Sequence, residues 1–516
     1  MVVENPNGEN SRRIAKNTAL LYIRMLILML IGLYTSRVIL DSLGVADYGL
    51  YNVVGGVVSM FSMISGALSA SISRFITFEL GLGNIKNLKK VFSSSVTIQF
   101  LLSLIFVILA ETIGLWFINT KLVIEPSRMV AANWVYQFSI ITFVINLISI
   151  PYNAEIIAHE KMAVFAYISI VDGVGKLLVA WAIVLTNSDR LILYGFLLMI
   201  MALIVRIIYG VYCKNKFQEC SFHLIWDKQL LKRMFCFAGW NIIGATSAVC
   251  RDHGGNIVIN LFCGTTVNGA RAIAVQVNTI IQSFVANFQT ALNPQIIKNY
   301  ASGNSEYMMK LVFQGARFSY YILFIIALPI FINADFILAL WLKEVPEHTS
   351  NFLRLVLLFS LMESLSGPLM TTMYATEKIR DYQIVVGFIQ LINLPIAYLF
   401  LYWGYPSESV FVIAIILSFV AMITRLIMLK PLVAISISSF MLRVWLNIML
   451  ITFSSSIPPL LLSFSMEQSV CQFLISLTLG LVCSIISILF IGCSTSERNL
   501  IYKYAWKGLY KIKISH

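Results

Sequence analysis

The chain has little charge, and acidic residues are scarcer than basic ones. Charged side chains make up 12% of its 516 residues, with 24 Asp and Glu against 37 Lys and Arg, whereas an ordinary soluble domain is about 25% charged. Apolar residues account for 59%, the mean hydropathy is +0.84, and the apolar runs recur along the whole length. The scarcity of charge excludes a soluble globular protein and predicts a chain that lies in a bilayer throughout.

Several motifs of enzymes and metal proteins are missing as well. No G-x-x-x-x-G-K-[ST] pattern is present, which disfavours ATP binding by a P-loop. The five His form no H-E-x-x-H pair, and the eight Cys form no C-x-x-C pair, so no metal, cofactor or disulfide is expected. His159, beside Glu160 in a short loop, is interpreted as solvated or structural. Short loops also disfavour a membrane glycosyltransferase or polymerase, so an enzyme is not predicted.

Apolar runs of the length that crosses a bilayer, roughly 20 residues, alternate with charged or turn-rich clusters. They predict an all-α membrane protein with about fourteen transmembrane helices. The predicted spans are 17–40, 47–76, 88–110, 130–158, 162–185, 190–212, 231–262, 267–299, 308–332, 350–375, 382–403, 407–429, 441–463 and 468–492.

The distribution of Lys and Arg orients these spans. Basic residues are retained on the cytoplasmic side of short loops, and with the N-terminus inside, most of the 37 fall in inner segments or spans. The outer loops then hold only Lys121, Arg128, Arg190 and Lys343. Both termini are predicted to be cytoplasmic. The net charge of +13 follows from this topology and from contact with anionic lipid, without any role for nucleic acid.

Parts of the sequence repeat at nearly constant spacing. An offset of 220 residues aligns Gly44 with Gly264, Gly83-Asn84 with Gly303-Asn304, and Lys90 with Lys310. An offset of 217 residues aligns Pro151 and Glu160-Lys161 with Pro368 and Glu377-Lys378. The glycines suit sharp turns, which need a positive φ without a Cβ clash. Together the matches predict an internal duplication.

The duplication predicts two repeated lobes of six helices. The predicted domains are a cytoplasmic segment 1–16, an N-lobe 17–212, a C-lobe 231–429, two additional C-terminal spans 441–492, and a basic cytoplasmic tail 493–516. Two repeated lobes around a site near mid-membrane are the plan of many secondary transporters that work by alternating access. A duplicated scaffold without transport is the alternative.

Basic residues inside spans are costly unless they line water or find a partner. Six lie near span ends, where snorkelling to the interface accounts for most of them: Arg37, Arg74, Arg206, Arg271, Arg354 and Arg425. Four lie deeper: Arg24, Lys176, Arg251 and Arg317. Lys176 follows Asp172 by one helical turn, so an ion pair is the simpler explanation for it.

Arg24 and Arg251 are the main candidates for binding an anionic substrate, one from each lobe. Arg24 has no acid nearby in the sequence, and Arg251 adjoins Asp252, although neighbours on a helix point apart. Structural pairing with an acid is the open alternative for both arginines, and Lys176 is a further candidate for substrate binding. Four carboxylates are candidates for coupling transport to H⁺ or Na⁺, with structural pairing at least equally open for each: Asp172, Asp252, Glu155 and Glu363.

Polar residues in the eighth predicted span fall on one helical stripe, which lipid would not tolerate. The stripe consists of Asn278, Gln282, Gln289 and Asn293. Amides and guanidinium groups in a wet cavity suit an anion with many hydroxyls, and phosphate is the anion that arginine matches best. These four residues are therefore predicted to contact the substrate.

Two stretches carry a family resemblance. Residues 16–61, KNTALLYIRMLILMLIGLYTSRVILDSLGVADYGLYNVVGGVVSMF, and residues 151–162, PYNAEIIAHEKM, resemble Wzx-type polysaccharide flippases. These belong to the multidrug/oligosaccharidyl-lipid/polysaccharide exporter superfamily, abbreviated MOP, whose multidrug members are called MATE transporters. The likeness covers almost the whole chain and implies a MATE-like fold in the cytoplasmic (inner) membrane of a bacterium.

The resemblance also implies a function. The substrate would be an undecaprenyl-pyrophosphate-linked oligosaccharide, moved from the cytoplasmic to the outer leaflet for O-antigen (lipopolysaccharide), capsule or similar glycans. In related lipid II flippases, arginines of the central cavity are held to engage the pyrophosphate, and Arg24 and Arg251 are the counterparts proposed here. A polysaccharide polymerase or glycosyltransferase is a candidate partner. An H⁺- or Na⁺-coupled MATE-like antiporter for drugs or metabolites is the alternative, although it would favour buried carboxylates.

Overall fold

The computed structural model describes residues 6–59, 62–120, 124–186, 189–221, 227–342, 344–465, 469–495 and 497–499. Within these ranges every regular element is a helix, which confirms the all-α fold class. The physical reason is the solvent, because a backbone in a bilayer must satisfy its own hydrogen bonds and a helix does so within one segment. Most of the predicted basic tail, residues 493–516, lies outside the described residues.

The helices follow one another along the chain with short connections. They are α1 (Pro6–Ser59), α2 (Ser62–Leu82), α3 (Ile85–Leu109), α4 (Leu115–Thr120), α5 (Met129–Ala158), α6 (Met162–Val184), α7 (Arg190–Lys216), α8 (Lys228–Ala301), α9 (Ser305–Ile332), α10 (Ala334–Trp341), α11 (Thr349–Ser364), α12 (Ser366–Thr376), α13 (Arg380–Leu391), α14 (Asn393–Tyr402), α15 (Ser409–Val433), α16 (Ile437–Phe440), α17 (Asn447–Ser465) and α18 (Val470–Ser487). Short π-helical segments at Ala110–Gly114, Met441–Leu446 and Ile488–Gly492 continue α3, α16 and α18, and a 3₁₀ turn at Pro126–Arg128 precedes α5.

Eleven helical segments among the described residues are long and apolar enough to cross a membrane. They coincide with eleven of the predicted spans. The other three, predicted at 47–76, 231–262 and 267–299, fall on the second part of α1 with α2 and on the two parts of α8. The described residues of these three spans are also helical, and two of the spans carry the candidate residues Arg251 and the amide stripe.

Apolar side chains remain exposed on the outer faces of the spans. In α1, Ile23, Leu26, Leu30 and Leu33 are 45–66% exposed, and their spacing of three and four residues places them on one stripe. An exposed apolar stripe of this length is what a bilayer requires of a spanning helix.

Two long helices bend at equivalent glycines. Gly44 interrupts α1 with φ 76° and ψ 168°, and Gly264 interrupts α8 with φ 80° and ψ −177°. Neither conformation is helical, and both have the positive φ that a side chain disfavours. The 220-residue repeat therefore extends to backbone geometry.

The Gly-Asn pairs of the repeat perform the same task in both halves. Gly83 has φ 70° and Gly303 has φ 75°. Each ends its helix with the two backbone hydrogen bonds of a Schellman motif, from Gly to the carbonyl three residues earlier and from Asn to the carbonyl five residues earlier. The Asn side chains then accept hydrogen bonds from the backbone N–H groups of Asn87 and Tyr307, and so cap α3 and α9.

The chain divides into two compact units. The first comprises residues 1–245, 290–307 and 374–383, and the second comprises residues 246–289, 308–373 and 384–516. The predicted N-lobe, 17–212, lies within the first unit, whereas residues of the predicted C-lobe, 231–429, belong to both. The predicted lobe boundaries stay a prediction.

We expect Gly83→Ala to lower stability by about 1–2 kcal/mol, the cost of placing a Cβ in the left-handed region. Space is not the cause, because nothing lies within 4 Å of the position a Cβ would take at Gly83. The measurement is the thermal unfolding midpoint of the detergent-purified chain. Gly239→Ala is the matched control, since Gly239 lies within α8 with open space and no positive φ. Equal midpoints for the two variants would contradict the turn assignment.

Candidate functional site

Arg24 lies on the face of α1 that packs against protein. Helical spacing places it with Leu21 and Leu28, away from the exposed apolar stripe of α1. Leu21 is fully buried, and Leu28 packs directly over Gly173 of α6. Arg24 therefore does not point into lipid.

The Arg24 guanidinium has an aromatic neighbour and, in the part of the chain that the structure describes, no acidic partner. Its Cζ lies 4.3 Å from the centroid of the Phe165 ring. Its Nε is buried without a hydrogen-bond acceptor, and among the described residues no carboxylate oxygen lies within the 4.0 Å of an ion pair. A cation–π contact attracts the charge but gives the N–H groups no oxygen acceptor. Arg24 is thus a half-buried cation that retains capacity for an anion.

Lys176 is paired as its spacing predicts. Its Nζ lies 2.7 Å from Oδ2 of Asp172, one turn earlier in α6. Both side chains are partly exposed, 51% for Lys176 and 33% for Asp172. The simpler interpretation, an i,i+4 ion pair, is confirmed, and the roles of these two residues in substrate binding and ion coupling stay predictions.

Arg251 is also paired, contrary to expectation. Its Nε donates to Oδ1 of Asp252 at 2.9 Å, although helix neighbours were expected to point apart. The reasoning was wrong because the arginine side chain is long enough to curl back to its neighbour. Its guanidinium also lies 5.0 Å from the centroid of the Phe359 ring. Arg251 therefore already has a counter-ion within the protein, whereas no described carboxylate pairs with Arg24.

A second carboxylate lies near Arg251 within the same unit. Glu363 accepts a hydrogen bond from Oγ of Ser418 at 2.6 Å and lies 3.7 Å from Nη2 of Arg425. Arg425 in turn donates to Oγ of Ser366 at 2.8 Å. Glu363 and Arg425 thus extend the polar group around Arg251 into a network of charges.

This network borders a narrow polar cavity in the second unit. Its lining includes Arg251, Glu363 and Ser418, together with Gln390 and Asn393. Oε1 of Gln390 and Oδ1 of Asn393 are buried without a hydrogen-bond donor. Sequence reasoning missed these two amides, although their spacing of three residues in one apolar span was a signal.

Three of the six span-end arginines are buried, so the expectation that snorkelling explains most of this group was wrong for them. Arg74, Arg271 and Arg425 are exposed by only 2%, 7% and 1%. Each finds oxygen acceptors inside the protein instead of at the interface, for example the Asp252 carbonyl 3.0 Å from Nη2 of Arg271. Position along a span did not reveal these acceptors because they lie in other segments, 19 residues away for Arg271, 59 for Arg425 and 301 for the Ala375 carbonyl bound by Arg74.

The amide stripe of α8 is partly engaged within the protein. Asn278 accepts a hydrogen bond from Oγ of Ser360 at 2.7 Å. Gln289 donates to Oγ of Ser319 at 3.2 Å and to the carbonyl of Ser364 at 3.3 Å. Gln282 and Asn293 are half-buried. The stripe therefore joins neighbouring helices, and its contact with substrate stays a prediction.

One carboxylate, Glu160, gathers several donors within the first unit. Its Oε2 lies 2.7 Å from Nε of Arg13, and its Oε1 lies 2.7 Å from Nζ of Lys298. Gln295 donates to Oε2 at 2.6 Å, and Asn17 donates to the Glu160 carbonyl at 3.3 Å. These five residues form the Glu160 cluster. It joins the start of α1 and the loop after α5 to the end of α8.

A second such carboxylate is Glu377. It accepts hydrogen bonds from Nε and Nη2 of Arg233 at 2.8 and 2.6 Å, and from Nη1 of Arg74 at 3.1 Å. Arg74 also donates to the carbonyls of Tyr374 and Ala375. Arg74, Arg233 and Glu377 form the Glu377 cluster. Partial burial disfavours the charged carboxylate, but the hydrogen bonds from Arg233 and the charge of Arg74 hold the pKa of Glu377 below its usual range.

The two clusters are related by the repeat. Arg13 and Arg233 are 220 residues apart, and Glu160 and Glu377 both adopt the left-handed conformation, with φ 58° and 65°. Each carboxylate takes one arginine from its own half of the sequence. Its other charged donor comes from the opposite half, Lys298 of α8 for Glu160 and Arg74 of α2 for Glu377. The first unit thus holds two crossed ion-pair clusters whose carboxylate and first arginine are related by the repeat, whereas the donors from the opposite half, Lys298 and Arg74, are not.

A family model and several solved structures resemble this chain. The model described as polysaccharide biosynthesis protein matches residues 14–300, and a second model, MatE, matches residues 255–399. No curated protein matches.

The solved structures share the fold at low identity. One is a MATE transporter in the bent conformation, 12% identical, with a TM-score of 0.71 over 83% of this chain and 98% of that one. The Vibrio cholerae MATE transporter VcmN in the bent form is 14% identical, with a TM-score of 0.68 over 84% and 99%. A Pyrococcus furiosus MOP superfamily transporter, described as having a binding pocket of reverse polarity, is 12% identical. Its TM-score is 0.68 over 83% of this chain and 96% of that one.

The family match covers more than half of the chain, and the structural matches cover most of it. The chain belongs to the polysaccharide biosynthesis protein family, and it has the fold of MATE and MOP superfamily transporters.

Proposed function

We propose that the protein flips an undecaprenyl-pyrophosphate-linked oligosaccharide from the cytoplasmic to the outer leaflet of a bacterial inner membrane. The observation that supports this most is Arg24, a half-buried guanidinium on a protein-facing surface with no carboxylate partner among the described residues. A cation in that state is stabilised by an anionic ligand, and its planar N–H groups suit a phosphate.

The chemistry of the substrate explains why a protein is needed. An unaided head group would lose the water around two phosphates and many hydroxyls, at a cost of several kcal/mol for each group left without a hydrogen bond. In our proposal Arg24 binds the pyrophosphate, and the prenyl tail stays in lipid. Arg251, in the second unit, binds an anion only after releasing Asp252.

Alternating access requires contacts that form and break. We propose that the Glu160 and Glu377 clusters are such contacts at the cytoplasmic ends of the helices. Each joins segments from both halves of the sequence, so substrate entry from the cytoplasm would separate them. The depressed pKa of Glu377 means that its carboxylate stays ionised at neutral pH, and protonation of this group does not open its cluster.

In this proposal, carboxylates within the spans couple transport to an ion gradient. Asp172 and Asp252 each hold a basic partner, so a coupling ion that binds either carboxylate would release Lys176 or Arg251 for another anion. A polymerase or glycosyltransferase that supplies or consumes the glycan would bind at the membrane surface.

Replacement of Arg24 tests the substrate assignment. We expect Arg24→Ala to reduce flipping about tenfold to hundredfold, because a hydrogen bond to a charged group contributes about 1.5–3 kcal/mol. The assay uses proteoliposomes containing a fluorescent undecaprenyl-pyrophosphate oligosaccharide and measures its arrival in the opposite leaflet. Arg24→Lys is expected to retain part of the rate, since it keeps the charge but loses the planar fork.

The matched control for this test is Arg206→Ala. Arg206 is also an arginine of the first unit that stacks on an aromatic ring, 3.9 Å from the centroid of Tyr152. Its replacement is expected to leave flipping near the wild-type rate. If Arg24→Ala is folded and flips normally, the substrate site is elsewhere. If the wild type flips no lipid-linked glycan but exchanges cationic drugs for H⁺ or Na⁺, the protein is an antiporter.

Disruption of the Glu377 cluster tests the proposal that this cluster separates when substrate enters from the cytoplasm. Ser71, one turn before Arg74 in α2, is 2% exposed, so a thiol introduced by Ser71→Cys reacts slowly with a water-soluble maleimide. We expect Glu377→Gln to speed this reaction several-fold, because it removes the charge that holds Arg74 and Arg233. The rate is followed by mass spectrometry of the peptide containing position 71.

Glu408→Gln is the control for the maleimide experiment. It removes the charge from another paired carboxylate, 2.7 Å from Nδ1 of His348, without touching either cluster. It is expected to leave the labelling rate unchanged. Identical rates in the Glu377→Gln and wild-type backgrounds would rule out the opening role of this cluster.

A further inference from the structure

Three ligand-type side chains converge beside the Glu160 cluster. Glu155 occupies the last turn of α5, His159 follows that helix, and Glu219 lies in the segment after α7. Nε2 of His159 is 2.6 Å from Oε1 of Glu219 and 3.6 Å from Oε1 of Glu155. One potential ligand atom from each residue lies within 4.8 Å of the other two, and among the described residues this is the one such group.

The group is buried and incompletely satisfied. Glu155 is fully buried, and neither of its carboxylate oxygens has a hydrogen-bond donor. Glu219 is 6% exposed, whereas the His159 side chain retains 25% exposure. Two carboxylates and one imidazole held this close in an apolar environment need a shared proton or a bound cation to balance their charge. His159 offers the route by which a small ion could enter.

The surroundings hold these side chains in place. The His159 ring stacks on Phe217, with centroids 4.1 Å apart and planes at 11°. Phe217 belongs to a hydrophobic cluster with the buried residues Ile156, Cys213 and Cys220. An apolar shell of this kind restricts solvent and orients the ligands of a metal site.

We propose that Glu155, His159 and Glu219 form a binding site for a divalent transition metal, with Zn²⁺ as the probe. One imidazole nitrogen and two carboxylate oxygens are ligand types that Zn²⁺ accepts, and its charge balances both carboxylates. The bound ion would join the end of α5 to the segment after α7. Because Glu160 directly follows His159, occupancy would also stiffen the loop that carries the Glu160 cluster.

The test is zinc binding to the purified full-length chain after treatment with a chelator. We expect one tightly bound equivalent, with X-ray absorption distances of about 2.0–2.2 Å to nitrogen and oxygen. Glu155→Gln and His159→Ala are each expected to weaken binding by about 100-fold or more, because loss of an outer partner alone costs about 10–100-fold.

The matched control is His348→Ala. His348 also contacts a glutamate at 2.7 Å, Glu408, but this pair belongs to no described group of three ligands. Its replacement is expected to leave the zinc equivalent in place. Absence of tight zinc binding to a folded wild-type chain would overturn the proposal, as would an unchanged affinity in both Glu155→Gln and His159→Ala. The measurement is independent of glycan flipping, so the two proposals fail separately.

Discussion

A bilayer provides neither a counter-ion nor a hydrogen bond to a buried guanidinium, so the protein or its ligand must supply them. Most deep cations of this chain obey that constraint inside the protein: Lys176 has Asp172, Arg251 has Asp252, and Arg317 lies 2.9 Å from Glu497. Arg24 contacts the face of the Phe165 ring, and no carboxylate of the described residues pairs with it. The transport proposal depends on this exception, because an anionic head group gains most binding free energy from a cation that has no other counter-ion.

The same constraint governs the helix ends. A helix leaves its last carbonyl groups without partners, and this chain satisfies them with left-handed residues at repeated positions. At Gly83 and Gly303 the residue is glycine. At Glu160 and Glu377 it is glutamate, whose side chain then collects basic donors from both halves of the sequence. One backbone conformation therefore ends the helix and also positions the carboxylate of an ion-pair cluster.

Sequence reasoning succeeded where a property is local or periodic. The length of the apolar runs located the spans. The repeated Gly-Asn pairs identified two turns, and both turns proved to have the same hydrogen bonds. It failed for partners distant in sequence: nothing local shows that Arg74 reaches the carbonyls of Tyr374 and Ala375, or that Glu219 approaches His159. His159 was expected to be solvated or structural, and its glutamate contacts and stacking on Phe217 favour the second interpretation.

The charges of the two units argue for different tasks. In the second unit, Arg251, Asp252, Glu363 and Arg425 already neutralise one another, so a ligand there must displace an existing partner. That arrangement suits a coupling site, where binding of a proton or ion redistributes pairs. In the first unit, Arg24 can accept an anion without breaking an ion pair. A cation antiporter would require the opposite polarity at that position, because an unpaired guanidinium repels its substrate. The polarity of Arg24 therefore favours the phosphate-bearing lipid over the cationic drug.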